Sequence, residues 1–356
     1  PAASFHDARR GTTQQVFSDT MNVMASDVLG RLWFGLNDMM AGGAGVRMYD
    51  GRQWASYTTA NSGLGNNSVS AIFGAANGDV WFAHSGGASL LSRLQGANWV
   101  TYTNNLPNGG ILMMPASAIG QDSQGAMWFG GMSGLYRYDG STWRQYTTSD
   151  GLVSNEVQRI ERDGQGRMWF QTMQGLSVFD GVNWATHSRA TGLPTNQFNS
   201  LFADSQGRVW VGLGWSEAPE RKFLAMYDGA GWQYWGWADT NYRLNCDVNG
   251  IAEAPDGTIW FSGCGNFVMY DGVTWSTPSI GSSYSASFMF DNRSNLWYNN
   301  NGLNVRWGGA DYPFTDGQWL SPTRFQAGYD FDANVPPGYY VVQMDVVQMD
   351  GVLGDD

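Results

Sequence analysis

Seven tryptophans set the plan of this chain. Trp33, Trp81, Trp128, Trp169, Trp210, Trp260 and Trp297 recur at spacings of 37 to 50 residues. A self-similar unit of that length is one supersecondary motif that buries its apolar face only against copies of itself. The surroundings of each Trp recur as well. Three positions earlier stands Gly30, Gly78, Gly125, Gly166, Gly207 or Gly257, with Ser294 the exception, where a tight hairpin needs a positive φ. Nine positions earlier stands Met24, Ile72, Ile119, Ile160, Leu201, Ile251 or Phe288, the mark of a strand preceding the turn. The stretch from Asp163 to Trp184 is the template. It holds a turn, the aromatic strand Met168-Trp169-Phe170, an alternating strand from Leu176 to Phe179, a second turn at Asp180-Gly181, and Trp184 opening a final strand.

Four short antiparallel strands, repeated seven times with no helical period between them, predict an all-β chain forming a seven-bladed β-propeller. Radial closure leaves few exposed sheet edges, whereas a solenoid of the same units would want distinct polar end caps. The outer strands are predicted to open with Trp54, Trp99, Trp143, Trp184, Trp232, Trp275 and Trp319. The predicted domains are a leader at 1–18, the propeller at 19–325 and a short β-prone C-terminal extension at 326–356. Thr13 to Phe17 is an alternative outer strand for the last blade.

The run Gly151-Leu152-Val153-Ser154-Asn155-Glu156-Val157, continued by Ile160, Asp163, Gly166, Trp169-Phe170 and Gly175-Leu176, resembles the two-component regulator propeller repeat. The resemblance extends over roughly residues 20 to 325 because the pattern recurs. That family's repeats form the periplasmic sensing propellers of bacterial hybrid histidine kinases and also occur in stand-alone secreted proteins. The resemblance therefore implies a binding or sensing role in an extracellular, cell-surface or periplasmic setting. This chain carries neither a kinase nor a complete Ig-like domain after the propeller, so signalling itself is not carried over.

Charge narrows the partners. A net charge of −12 argues against nucleic acid, which needs basic patches, and against anionic membrane surfaces. No apolar run approaches the roughly 18 residues of a spanning helix, so no membrane insertion is expected. The opening Pro1-Ala2-Ala3 fits a mature form whose leader has been removed.

The repeat also works as a filter, since a residue in a slot that every blade fills belongs to the scaffold. Of 18 tryptophans, those outside the repeating slots are Trp215 and Trp237. Both fall in long loops near the fifth and sixth blades, on the face where propellers usually bind ligands. Around them stand Glu217, Glu220, Arg221, Asp239, Tyr242 and Arg243. Exposed rings supply apolar area and charged groups fix orientation, which suits a protein or carbohydrate ligand. Mutual packing of two long loops is the plainer explanation. Met39, Met40, Met113, Met114, Met132 and Met173 fall in loops of the same face in blades one to four. They suit an adaptable partner patch better than a soft-metal site, because Cys and His are not near them in sequence.

Catalysis has little to build on. His187 fills a scaffold slot, His6 lies in the leader, and His84 is assigned to a candidate loop. His84 with Arg189 or Arg243 makes an imaginable proton-abstracting set of the kind some propeller lyases use on uronic acids. Asp27, Asp122, Asp163, Asp204 and Asp291 recur once per blade and read as turn residues rather than calcium ligands. Cys246 and Cys264 fall at the open end of one predicted hairpin, where a disulfide is feasible and would suit an oxidising compartment.

Three functions remain in view. The first is a non-catalytic binding or assembly module without a cofactor or metal, acting through its loop face. The second is a polysaccharide lyase. The third is a structural subunit of an extracellular polymer, joined through residues 336–356, where VVQMD is directly duplicated from Val341 to Asp350.

Overall fold

The computed structural model describes residues 4–5, 13–17, 20–37, 44–51, 53–86, 89–103, 116–214, 221–244, 246–263, 265–278, 287–299, 303–306, 312–313, 315–321 and 324–328. Residues 9–310 form one compact unit, and 1–8 with 311–356 form another.

The larger unit is a seven-bladed propeller of four-stranded antiparallel blades. In the first blade Thr20–Ser26 is innermost, followed by Leu32–Asn37, Val46–Tyr49 and Trp54–Tyr57 outermost. Each innermost strand packs on that of the next blade, and Phe288–Phe290 of the seventh returns to Thr20–Ser26, closing the ring. Hydroxyls and amides tie neighbouring blades together. Ser70 Oγ donates to Ala116 O (2.7 Å), Ser117 Oγ to Val157 O (3.0 Å) and Ser200 Oγ to Val248 O (2.8 Å).

The last blade corrects one expectation. Its outer strand is Thr13–Phe17, paired antiparallel with Leu303–Arg306, and not the strand containing Trp319. Thr315–Ser321 instead forms a hairpin with Arg324–Gly328 in the smaller unit, which also pairs Ser4–Phe5 with Tyr312–Pro313. Closing the ring with a strand from the start of the chain joins its two ends in one sheet, so the circle cannot open without breaking a ladder.

Aromatic residues make the inter-blade core. Within each Trp-Phe pair of a second strand, alternation sends the two rings to opposite faces. The Trp reaches the next blade's Phe, as in Trp33–Phe82 (5.5 Å between ring centroids), Trp81–Phe129 (5.2 Å) and Trp128–Phe170 (5.3 Å). The outer strand then stacks a ring on its own blade's Trp: Tyr57 on Trp33, Tyr102 on Trp81, Tyr146 on Trp128, His187 on Trp169 and Trp235 on Trp210. Aromatic richness here is packing, and such pairs contribute about 0.5–1.5 kcal/mol each beyond the area they bury.

The recurring Asp does more than hold a turn. Asp163 Oδ1 accepts from the backbone N–H of Gln165 (3.0 Å) and Arg167 (2.9 Å), while Oδ2 accepts from Arg167 Nε (2.7 Å) and Trp169 Nε1 (2.8 Å). Asp27, Asp122 and Asp204 repeat the indole contact to Trp33, Trp128 and Trp210, and each also binds an Arg guanidinium. That guanidinium lies over the Trp ring, 5.6 Å from its centroid for Arg167 and Trp169. In the third blade the turn position is Ala126, and the Arg comes from the third strand, where Arg137 lies directly across from Trp128. The sixth blade has Ala254 and Thr258 in these slots, and its Trp260 is half-buried where the other six are fully buried. All six turn glycines adopt positive φ, and Ser294 takes the same left-handed conformation at φ 60°.

Candidate functional site

Two kinds of loop share one face of the propeller. Turns between second and third strands bond to the connections between blades: Gly45 N donates to Asn67 O (3.0 Å), Gly134 N to Asn155 O (2.7 Å) and Gly214 N to Gln197 O (2.9 Å). The connection from the fifth to the sixth blade is the most distinctive member of this set. Its relatives after the first, third and fourth blades begin with Thr58, Thr147 or Ser188. The backbone N–H of that residue donates to a side chain three positions on, which is Asn61, Asp150 or Thr191. In the fifth blade the pair is Gly236 and Asp239, at 2.7 Å.

The chain's single lysine, Lys222, completes this cap with Nζ 2.7 Å from Asp239 Oδ2. Its ammonium holds the Asp239 carboxyl below the usual range, with help from the Gly236 N–H. Thr240 is fully buried at the centre of the loop, accepting from Leu244 N (3.1 Å) and donating to Gly236 O (3.2 Å). Between these anchors the loop is longer than its relatives. Asn241 and Tyr242 take up the extra length at φ 51° and 62°, a left-handed conformation that costs a bulky side chain roughly 1–2 kcal/mol.

Trp237 and Tyr242 emerge from this braced loop. They are 56% and 66% exposed, and their rings meet edge to face at 5.3 Å and 89°. The two rings are held in fixed relation outside the blade packing that takes up most of the described aromatics, and they leave apolar area exposed on the loop face. Arg243 is half-buried beside them. Arg221 stands at the end of the second-to-third loop of the fifth blade, ion-paired with Asp247 across the loop face and 5.1 Å over the Phe223 ring. Trp215, Glu217 and Glu220 lie outside the described residues, so of the expected cluster the structure brings together Trp237, Asp239, Tyr242 and Arg243, with Asp239 serving as the cap.

Of the methionines, Met132 and Met173 are 62% and 50% exposed in their turns, and Gln158 Nε2 lies 2.8 Å from Met173 Sδ. Met39, Met40, Met113 and Met114 lie outside the described residues. So does Cys264, the expected partner of Cys246.

His84 corrects a second expectation. It is not in a loop but ends the strand Val80–His84, fully buried, with Nε2 2.8 Å from Ser92 Oγ. Desolvation pushes its pKa down to about 4, opposed by a hydrogen bond to the Ser68 backbone. A buried neutral ring of that kind is out of reach of a substrate on the loop face.

Sequence reasoning passed over two charged residues on the inner strand Val157–Arg162. Arg159 is exposed and donates from Nη2 to Asn199 O of the fifth blade (3.1 Å). Glu161 is half-buried, and desolvation raises its carboxyl to about 8, with Arg159 pulling the other way. The signal was in the repeat. The slot of Glu161 holds Ala25, Phe73, Gly120, Phe202, Ala252 and Met289 elsewhere, and that of Arg159 holds Val23, Ala71, Ala118, Ser200, Gly250 and Ser287.

A raised carboxyl pKa makes the folded chain hold a proton that the unfolded chain releases first. Stability from this group is therefore fully present below about pH 4.5 and falls as pH rises toward 8. Glu161→Gln is expected to match the wild type at pH 4.5 and to exceed it by on the order of 2 kcal/mol at pH 8.5, a figure below the full shift because the carboxyl keeps solvent access. Guanidinium denaturation midpoints of both proteins at the two pH values check this. A constant difference would mean that Glu161 does not titrate as described.

Residues 151–174 and 192–214 match the family model described as two component regulator propeller. No curated protein sequence matches the chain. Among solved structures, the extracellular domain of the putative hybrid two component system BT3049 from B. thetaiotaomicron is similar at 19% identity, with TM-score 0.66, over 91% of this chain and 46% of that one. Virginiamycin B lyase from Staphylococcus aureus, solved with quinupristin, is similar at 16% identity and TM-score 0.61, over 83% of this chain and 98% of the lyase. PorZ, a surface component of the type-IX secretion system of Porphyromonas gingivalis, follows at 16% and 0.58, over 81% and 46%. The chain thus spans less than half the length of the BT3049 domain, and at these identities the likeness establishes the fold alone. No helix among the described residues is long and apolar enough to cross a membrane.

Proposed function

Because stretches of its fourth and fifth blades match the two component regulator propeller model, we propose that this chain is a non-catalytic extracellular recognition module. It binds a protein or carbohydrate ligand through the loop face at the fifth and sixth blades. The observation that carries the reading is the exposed Trp237–Tyr242 pair, held in a fixed geometry on a strained and internally capped loop. Strain retained at a surface loop is a cost that folding alone does not explain. Trp215, Glu217, Glu220 and Arg221, in the neighbouring long loop, would extend the site, with Arg243 orienting a polar ligand. Met132 and Met173, with Met39, Met40, Met113 and Met114, would supply a separate adaptable contact for a partner protein. The extracellular domain of BT3049 is a relative in fold whose setting agrees with this reading. The lyase alternative loses its base with the burial of His84.

Screening against soluble oligosaccharides and peptides is expected to yield at least one ligand whose affinity drops tenfold or more in Trp237→Ala, within the range for a central aromatic contact. Equal binding by wild type and variant would remove this site.

A disulfide between Cys246 and Cys264 belongs to the same proposal, since an extracellular setting is oxidising. Alkylation of the unfolded, unreduced chain should then add no adduct, and two adducts should appear after reduction. Two adducts without reductant would refute the bond.

A further inference from the structure

Neighbouring blades meet where a ring of one outer strand packs on the outer-strand Trp of the next, as in Tyr57–Trp99 (5.7 Å between centroids), Tyr102–Trp143 (5.7 Å), Tyr146–Trp184 (5.8 Å) and Trp235–Trp275 (5.9 Å). Between the fourth and fifth blades the ring is His187, 5.5 Å from Trp232. Of these rings imidazole alone changes charge between pH 5 and 8. It also brings a hydrogen bond. Trp232 Nε1 donates to His187 Nδ1 at 3.3 Å, so Nδ1 keeps its lone pair and the ring proton sits on Nε2. An indole offers no ring acceptor and a phenol only its distal oxygen. The matching indole between the second and third blades, Trp143, has no partner for Nε1 among the described residues.

This contact holds the outermost strand of the fifth blade, Trp232–Gly236, which pairs on one side only, with Lys222–Tyr227. Trp232 and Tyr234 pack against the cluster of Trp169, Leu176 and Val178 that fills the wall between the two blades. At Gly236 the strand passes into the loop of Trp237. His187 itself is half-buried, within reach of solvent protons, and lies flat on Trp169 at 5.4 Å and 7°. Tyr227 stands 5.4 Å away.

Adding a proton to Nδ1 turns the acceptor into a donor that faces the Trp232 N–H, so the hydrogen bond is lost. The new charge also meets another cation. The Arg167 guanidinium lies 5.6 Å over Trp169 and 5.5 Å over Tyr227, the two rings that His187 touches, and its own partner, Asp163, sits at 2.7 Å. The other ionisable groups on elements against His187 are Arg189 in the turn that follows, Lys222 and Tyr227 on Lys222–Tyr227, and Tyr234 on Trp232–Gly236. Lys222 is paired with Asp239, and of all these only Arg167 acts on the imidazole by charge. Gly175–Phe179 and Met168–Thr172 carry no ionisable residue. We propose that His187 is a proton-operated latch, whose neutral ring holds Trp232–Gly236 against the fourth blade and whose protonation frees that strand. Burial and Arg167 favour the neutral ring. Its contribution is therefore complete above about pH 6.5 and is lost as pH falls through the lowered value. The latch does not depend on the recognition reading.

Hydrogen–deuterium exchange on the full chain tests it, with the protection of residues 232–236 read as a ratio to that of residues 143–146, the matching strand of the third blade, in the same sample. The wild-type ratio should fall about threefold or more from pH 7.5 to pH 4.5, the loss of one net hydrogen bond. His187→Tyr places at this joint the ring found at Tyr57, Tyr102 and Tyr146, and its ratio should not change with pH. Trp232→Phe keeps a ring and removes the donor, so its ratio at pH 7.5 should already lie near the wild-type value at pH 4.5. Thermal midpoints of the variants separate a freed strand from a lost fold. A wild-type ratio constant with pH, an equal fall in His187→Tyr, or wild-type protection in Trp232→Phe at pH 7.5 would each overturn the proposal.

Discussion

Asp163→Ala should destabilise the propeller by about 3–5 kcal/mol, the cost of removing one partner from a buried ion pair. The side chain of Asp163 is fully buried and accepts four hydrogen bonds at once. Its removal leaves the Trp169 indole N–H and Arg167 Nε without their acceptor in the wall between the fourth and fifth blades. Asp180→Ala is the comparison. Asp180 also accepts two turn N–H groups, from Val182 and Asn183, but in full exposure, where water replaces a lost partner. A clearly smaller loss is expected there. Denaturant midpoints of the two variants separate the roles, and equal losses would mean that the buried Asp acts only as a turn residue.

Removal of residues 1–17 should have the largest effect of all when set against removal of 1–10. The shorter deletion leaves Thr13–Phe17 paired with Leu303–Arg306, and the longer one strips that strand away. With it goes Val16, which packs against the core shared by the seventh and first blades. A strand ladder and its apolar contacts are together worth on the order of 5 kcal/mol, which for a domain of this size lowers the thermal midpoint by on the order of 10 °C. The bared edge of Leu303–Arg306 should also promote association, because an unpaired strand is a template for another chain. Identical melting of the two deletions would contradict the closure.

The repeat made most of the architecture legible. Trp spacing fixes the number of blades, and comparison across slots sets Trp215 and Trp237 outside the scaffold, with Tyr242 among their neighbours in sequence. What escaped was long-range or polar. Trp319 suits the outer-strand slot by local spacing, yet the strand that fills it lies about three hundred residues earlier, and no local pattern reports such a pairing. His84 sits at the seam between strand and turn, where one residue decides between burial and exposure. The partnership of each Asp with its Trp was visible as a constant interval of six residues, from Asp27 to Trp33 through Asp291 to Trp297. A turn explains Asp well enough by itself, so the interval alone does not report the partnership. Arg159 and Glu161 lie on an innermost strand, where a charge stands out only when all seven strands are aligned.

Recognition without catalysis through the loop face is the central claim, and one paired measurement addresses it. The best ligand from the oligosaccharide and peptide screen is titrated into wild type, Trp237→Ala and Tyr242→Ala, and the ligand recovered from the wild-type cell is then weighed by mass spectrometry. The account predicts saturable binding by the wild type, at least a tenfold loss in each variant with unchanged thermal midpoints, and a ligand of unaltered mass. Wild-type affinity in both variants, or a ligand returned cleaved, would contradict it.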